Sequence, residues 1–207
     1  MHPLCLPSRG LYAISNGPRA DLFANCAAAL RGGAALLQYR DKSRDFARRR
    51  DEAHALLALC TTCNVPLIIN DDIELTAEVG ATGVHLGEHD SDVAAARLRL
   101  GAGAIIGVSC YNSIERARQL AAAGVDYLAF GAFFPSPTKP DARRATPDLL
   151  RTARSLGLPL VAIGGITPDN ALSLIEAGAD FVAAISGVFG SADPAAAARH
   201  YTKLFTS

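Results

Sequence analysis

Short β-favouring apolar runs recur along the chain, and between them lie longer alanine-rich stretches with helical character. The apolar runs fall at 10–14, 35–40, 66–70, 83–86, 105–109, 127–131, 160–164 and 181–185. The helical stretches fall at 21–31, 43–63, 73–79, 91–100, 113–123, 146–156, 168–177 and 193–205. This alternation predicts parallel strands joined by helical crossovers, the α/β class. Eight units in unbroken sequence predict a single (β/α)8 TIM barrel spanning residues 1–207 as one domain. An open doubly wound sheet would use the same elements, but closure removes the sheet edges.

Local signals agree with these boundaries. Thr167 precedes Pro168 and Asp193 precedes Pro194, each pair placing a capping side chain before a proline at the first helical position. Gly124, Gly157 and Gly178 follow helical runs, where a left-handed residue often ends a helix. The phrases Ala-Gly-Val-Asp-Tyr at 123–127 and Ala-Gly-Ala-Asp-Phe at 177–181 predict one helix-to-strand junction used twice. The long irregular segment at 132–145, with Pro135, Pro137 and Pro140, is expected to be a loop.

Composition narrows the function classes. Half of the 207 residues are hydrophobic, enough for a sizeable core. Twenty basic residues balance twenty acidic ones, so no global field favours nucleic acid or an anionic membrane, and any anion site must be local. Residues 1–9 lack the apolar core of a signal peptide and no stretch approaches the ~20 apolar residues of a membrane span, so a cytoplasmic protein is expected. Cys60 and Cys63 form a C-x-x-C without a second ligand pair at suitable spacing. They are expected to be core and surface thiols rather than a zinc or redox centre.

In such a barrel the active site lies at the C-terminal ends of the strands, and polar residues gather at those positions here. They are Gln38-Tyr39-Arg40-Asp41-Lys42 after strand two, Asn70-Asp71-Asp72 after strand three, and residues 85–90 after strand four. Ser109 ends strand five, Ser136-Pro137-Thr138-Lys139 follow strand six, Gly164-Gly165 end strand seven and Ser186-Gly187 end strand eight. Gln38, Arg40 and Lys42 alternate, so extended backbone would turn all three toward the mouth, where with Lys139 they suit an anion. Asp71 and Asp90 have the opposite sign beside these cations, a combination that implies Mg²⁺ bridging carboxylates and phosphate. Alternatively Asp71 joins Asp72 and Glu74 in capping the third helix. The glycines and serine after strands seven and eight form a second candidate anion site built from backbone N–H groups, or simply turn tight corners. His85 is open between a general base and a packing or hydrogen-bonding role.

These motifs, in this order, resemble the thiamine-phosphate synthase family over nearly the whole chain. The carriers are the 38–42 run, Ile69-Asn70-Asp71-Asp72, Gly83-Val84-His85-Leu86-Gly87-Glu88-His89-Asp90, Gly107-Val108-Ser109, residues 131–139, Ala162-Ile163-Gly164-Gly165-Ile166 and Ala184-Ile185-Ser186. The resemblance implies that Gln38, Tyr39, Arg40, Asp41, Lys42, Asn70, Ser109 and Lys139 hold a hydroxymethylpyrimidine pyrophosphate. Arg40, Lys42, Ser109 and Lys139 would be the catalytic set, and Asp71 and Asp90 would bind Mg²⁺. Ser136, Pro137, Thr138, Gly165, Ile185 and Ser186 would hold a thiazole phosphate. The implied reaction ionises the exocyclic carbon–oxygen bond of the pyrimidine, and the thiazole nitrogen then attacks the cation. Its partners would be these two small phosphorylated substrates, with neither nucleic acid nor membrane; the oligomeric state is left open. Glu88 replaces a common glutamine, Ser136 a frequent threonine and Ala132 a frequent proline. The rival readings are a thiazole tautomerase of the same superfamily, which needs no pyrophosphate or metal site, and a non-catalytic phosphate-binding barrel.

Overall fold

The computed structural model describes residues 4–87, 92–135 and 144–206. Its strands are β1 (Gly10–Ile14), β2 (Leu36–Tyr39), β3 (Leu67–Asn70), β4 (Gly83–Leu86), β5 (Ile105–Tyr111), β6 (Tyr127–Phe130), β7 (Leu160–Ile163) and β8 (Phe181–Ala184). They close into one barrel in sequence order, every neighbouring pair parallel, with β8 returning to β1. The helices are α1 (Leu22–Arg31), α2 (Phe46–Cys63), α3 (Ile73–Val79), α4 (Val93–Leu100), α5 (Ile114–Ala122), α6 (Pro147–Ala153), α7 (Pro168–Glu176), α8 (Ser186–Phe189) and α9 (Pro194–Lys203). The expected (β/α)8 TIM barrel is the fold observed.

Strand alternation divides the core into two layers. Tyr12, Leu36, Ile68, Ile105, Tyr127, Val161 and Phe181 fill the barrel interior, while their chain neighbours Leu11, Leu37, Leu67, Ile106, Leu128 and Val182 pack under the helices. A strand buried on both faces reads as an uninterrupted apolar run, which is why these strands stand out in the sequence. Each fully buried aliphatic or phenylalanine side chain contributes about 1.5–3 kcal/mol.

At two helix starts a local hydrogen bond explains the difference from the sequence expectation. Helix α2 begins at Phe46 rather than at 43, because Asp45 caps it by accepting from Arg48 N–H while the Ser43 amide donates to Asp41. Asp92 caps α4, which starts at Val93. Strand β5 runs two residues beyond Ser109 because its register against β6 shifts between Ser109 and Tyr111. The four-residue α8 was not foreseen at all. Cys60 is buried and Cys63 exposed, and burial pushes the Cys60 thiol up to about 12, as expected of an inert core thiol. Among the described residues no helix is long and apolar enough to cross a membrane.

The repeated junction is one physical device. Asp126 Oδ2 accepts from the Ile106 amide at 2.7 Å and from Arg97 at 2.8 Å. Asp180 Oδ2 accepts from the Leu160 amide at 2.8 Å and pairs with Arg154 at 3.0 Å. Each carboxylate ties the start of its strand to the preceding one, at the barrel end opposite the mouth. Asp180→Ala strands the Leu160 amide and is expected to cost about 1–3 kcal/mol. Thermal unfolding should fall by several degrees, with turnover per folded molecule unchanged. An unchanged melting temperature would show that the tie contributes nothing.

Candidate active site

Toward the C-terminal ends of the strands the inward positions turn from apolar to polar. Gln38 lies two residues beyond Leu36, Asn70 beyond Ile68 and His85 beyond Gly83, while Ser109 stands four beyond Ile105. Adjacent registers bring Asn70 beside His85 and Ser109 beside Ala129. A hydrogen-bonded chain runs through this layer. Gln38 Nε2 donates to Tyr12 Oη at 2.7 Å, Tyr12 Oη meets Tyr127 Oη at 2.8 Å, Tyr127 Oη meets His85 Nδ1 at 2.9 Å, and His85 Nε2 meets Ser109 Oγ at 2.9 Å. The two tyrosine rings are edge to face, and the His85 ring stacks on Tyr127. Burial holds both phenols well above their ordinary pKa, so both are neutral hydroxyls.

The 38–42 run separates into distinct roles. Gln38 faces the barrel interior, whereas Tyr39 faces α2 and donates from its hydroxyl to Glu52 at 2.6 Å. Asp41 is buried; it accepts from the Ser43 amide at 2.7 Å and from Arg48 at 2.8 Å. Burial pulls the Asp41 carboxyl up, but these two donors outweigh it and leave its pKa below the ordinary value. The side chains of Tyr39 and Asp41 therefore shape the loop rather than face the mouth. Arg40 is pinned through its backbone, its amide donating to Ser15 Oγ and its carbonyl accepting from Gly17, both at 2.9 Å. Its guanidinium has no ion-pair partner among the described residues. Lys42 is largely exposed and reaches Asp71 at 3.7 Å, a separation worth little in water.

Asp71 follows β3 directly in a left-handed conformation, φ 63°, with its amide donating to the His85 carbonyl at 2.8 Å. Capping of α3 is the task of Asp72, which accepts from Leu75 N–H at 2.9 Å and also pairs with Arg49. Asp71 is thus released from the capping role that the sequence left open to it. With Lys42 and Asn70 it lines a cavity of about 590 Å³ that extends outward to Arg49 of α2, Glu74 of α3 and Arg99 of α4. One partly exposed carboxylate beside an amide is a hard-oxygen donor set that suits Mg²⁺, which uses few protein ligands and completes its shell with substrate oxygens and water. Among the described residues no three His, Cys, Asp or Glu side chains gather to hold a metal unaided.

Across the mouth, backbone replaces side chains. Gly164 and Gly165 have φ of 105° and 64°, and a Cβ on Gly165 would lie 2.4 Å from the Pro135 carbonyl oxygen. Only glycine fits there. Asn170 holds the turn by donating to the Gly165 carbonyl and accepting from the Thr167 amide. After β8 the chain enters α8 at once, with the Val188 and Phe189 amides bonded to the Ile185 carbonyl. The amides of Ser186 and Gly187 precede the first intrahelical bond. A short extra helix after strand eight is a recurrent phosphate-binding element of these barrels.

Asp90, Ser136, Pro137, Thr138 and Lys139 lie outside the described residues, as does Glu88. Sequence reasoning missed Tyr12 and Tyr127, and also Arg116, whose guanidinium donates to the carbonyls of Ser109 at 2.8 Å and Gly87 at 3.1 Å and so fixes two strand ends. The available signal was Gly107, an inward position without a side chain, which implies a large neighbour filling the space.

The thiamine monophosphate synthase family matches residues 11–188. A thiamine-phosphate synthase of Xanthomonas campestris pv. campestris (strain 8004) is 56% identical over 206 residues, 99% of either chain. One from Nitrosococcus oceani is 56% identical over 203 residues, 96% of this chain and 94% of that one. A solved thiamine phosphate pyrophosphorylase from Pyrococcus furiosus superposes with a TM-score of 0.87 at 31% identity, over 96% of each chain. A 3-hexulose-6-phosphate synthase, at 17% identity and TM-score 0.69, shares the fold alone. Full-length similarity at this level, together with the polar strand ends, makes the chain a transferase that belongs to the thiamine monophosphate synthase family.

Proposed function

We propose that the chain couples 4-amino-5-hydroxymethyl-2-methylpyrimidine pyrophosphate to 4-methyl-5-(2-hydroxyethyl)thiazole phosphate by dissociative substitution, as a cytoplasmic enzyme with two small phosphorylated substrates. The observation that carries this reading is the division of the C-terminal strand ends: Lys42, Asn70 and Asp71 line one cavity after β2 and β3, near Ser109 of β5 and near Arg40, which has no ion-pair partner among the described residues, while backbone amides stand over β7 and β8. That division suits two anions of different kinds.

The exocyclic carbon–oxygen bond breaks, and pyrophosphate leaves with the electron pair. The thiazole nitrogen then donates its lone pair to the methylene carbon, giving thiamine phosphate with a quaternary ring nitrogen. No proton need move in either step, so the protein's task is electrostatic. Arg40 and Lys42 neutralise charge growing on the leaving group, while Asn70 and Ser109 offer it polar contacts. The amides of Gly165, Ser186 and Gly187 hold the thiazole phosphate so that the ring nitrogen faces the cation, which supplies the orientation term. Asp71 and Asp90 would hold Mg²⁺, which when bound supplies further positive charge to the pyrophosphate oxygens. By the same reading Lys139 adds a third cation, and Ser136, Pro137 and Thr138 add thiazole-phosphate contacts.

Purified protein given Mg²⁺ and both precursors is expected to release pyrophosphate and form thiamine phosphate in equal amounts. Chelating the metal should abolish turnover and Mg²⁺ should restore it. Thiazole phosphate binding or tautomer exchange without coupling would overturn the reading in favour of the tautomerase.

A further inference from the structure

The hydrogen-bonded chain across the barrel interior has a direction, and the direction follows from counting hydrogens. Gln38 Nε2 can only donate, so its bond to Tyr12 Oη uses that oxygen as an acceptor. Tyr12 is then free to donate its own hydrogen to Tyr127 Oη, and Tyr127 in turn to His85 Nδ1. A neutral imidazole that accepts at Nδ1 carries its hydrogen on Nε2, which donates to Ser109 Oγ. Every link is then satisfied, and the Ser109 hydroxyl hydrogen is left without an acceptor among the described residues. Reversed from Ser109, the chain would end with Tyr12 Oη accepting from both Tyr127 and Gln38, its own buried hydrogen unused by any link. Such a stranded donor is costly.

We propose that Tyr127 is a positioning residue for the coupling reaction: acting through His85, it keeps the Ser109 hydroxyl a hydrogen-bond donor aimed at the substrate anion. The proposal rests on the reading that Ser109 faces the pyrophosphate. An oxygen that accepts from His85 presents its hydrogen to a phosphate oxygen, whereas one that donates to His85 presents a lone pair and repels it. Geometry holds the relay in place. The phenol and imidazole are stacked at 5.6 Å between ring centres, and the Tyr12 ring stands at 86° to the Tyr127 ring, so neither hydroxyl can swing to another partner without breaking the packing. Ser109 itself cannot drift, because Arg116 anchors its carbonyl.

Two measurements test this. In the unmodified protein without substrate, ¹⁵N spectra of labelled histidine should show His85 as the Nε2–H tautomer with a hydrogen-bonded Nδ1, and Tyr127→Phe should move Nδ1 toward an unbonded value. An Nδ1–H tautomer in the unmodified protein overturns the proposal, since Ser109 would then be donating to the ring. Kinetically, Tyr127→Phe should lower kcat about tenfold with KM within about twofold, the loss of one hydrogen bond felt in the transition state. Because the effect passes through Ser109, Tyr127→Phe should add almost nothing to Ser109→Ala. Additive losses, or a rise in KM alone, would mark Tyr127 as merely structural. Should the Tyr127 variant fold poorly, the spectrum of the unmodified protein still decides. If that protein couples no substrates, the functional reading fails while the tautomer result stands on its own.

Discussion

Arg40→Ala is expected to lower kcat/KM for coupling by about 10²–10³-fold while leaving the melting temperature within about a degree or two. The two effects separate because of how Arg40 is held. Its amide and carbonyl are bonded to Ser15 Oγ and the Gly17 amide, and a substitution beyond Cβ leaves both bonds in place. The guanidinium has no carboxylate partner among the described residues, whereas Arg48, Arg49, Arg97 and Arg154 are each paired and structural. A cation at this strand end with no carboxylate partner among the described residues contributes little to folding and is available to an incoming anion. Removing one such contact from a preorganised electrostatic site typically costs about 3–4 kcal/mol in the transition state. Arg40→Lys should recover part of the loss, since the charge returns but the planar fork does not. Steady-state kinetics with pyrophosphate release as the readout, beside a thermal melt, decides the matter; equal losses in activity and stability would make Arg40 a structural residue.

The strands were legible because burial on both faces writes each one as a short apolar run, and the repeated Ala-Gly-x-Asp phrase marked a junction the fold uses twice. What stayed hidden depends on closure. Tyr12 and Tyr127 are 115 positions apart and meet only because β8 returns to β1, so nothing local to either residue announces the contact. Helix α8 is too short for any periodicity to show, and it contains a glycine. Tyr39 and Asp41 belong to the motif by position, yet alternation turns Tyr39 away from the interior, and the fate of Asp41 depends on Arg48, a residue of the following helix. The sequence left His85 open between catalysis and hydrogen bonding, and its ring nitrogens meet Tyr127 and Ser109 among the described residues.

Gly107→Ala is expected to have the largest effect on stability. A Cβ at this position would lie 1.8 Å from Tyr127 Cζ and 2.2 and 2.3 Å from the two Cε atoms, far inside van der Waals contact. A flexible side chain would step aside, but this ring is held at its tip by Tyr12 and His85 and lies on the strand directly paired with Gly107. Either the ring leaves its position, breaking two buried hydrogen bonds, or β5 and β6 move apart at the centre of a closed barrel. Overpacking alone costs about 1–3 kcal/mol, and each stranded buried partner adds about 1–3 kcal/mol. The sum predicts a loss of about 3–9 kcal/mol, and at about 2–4 °C per kcal/mol for a chain of this size the melting temperature should fall by roughly 10 °C or more. Adding Tyr127→Leu should return part of that loss, because the smaller side chain vacates the space the methyl group needs. Activity should not return with it, since the link from Tyr12 to His85 and Ser109 is gone. A Gly107→Ala protein that melts within about a degree or two of the parent would show that the Tyr127 ring has room to move. It would also remove the rigidity on which the directed chain to Ser109 depends.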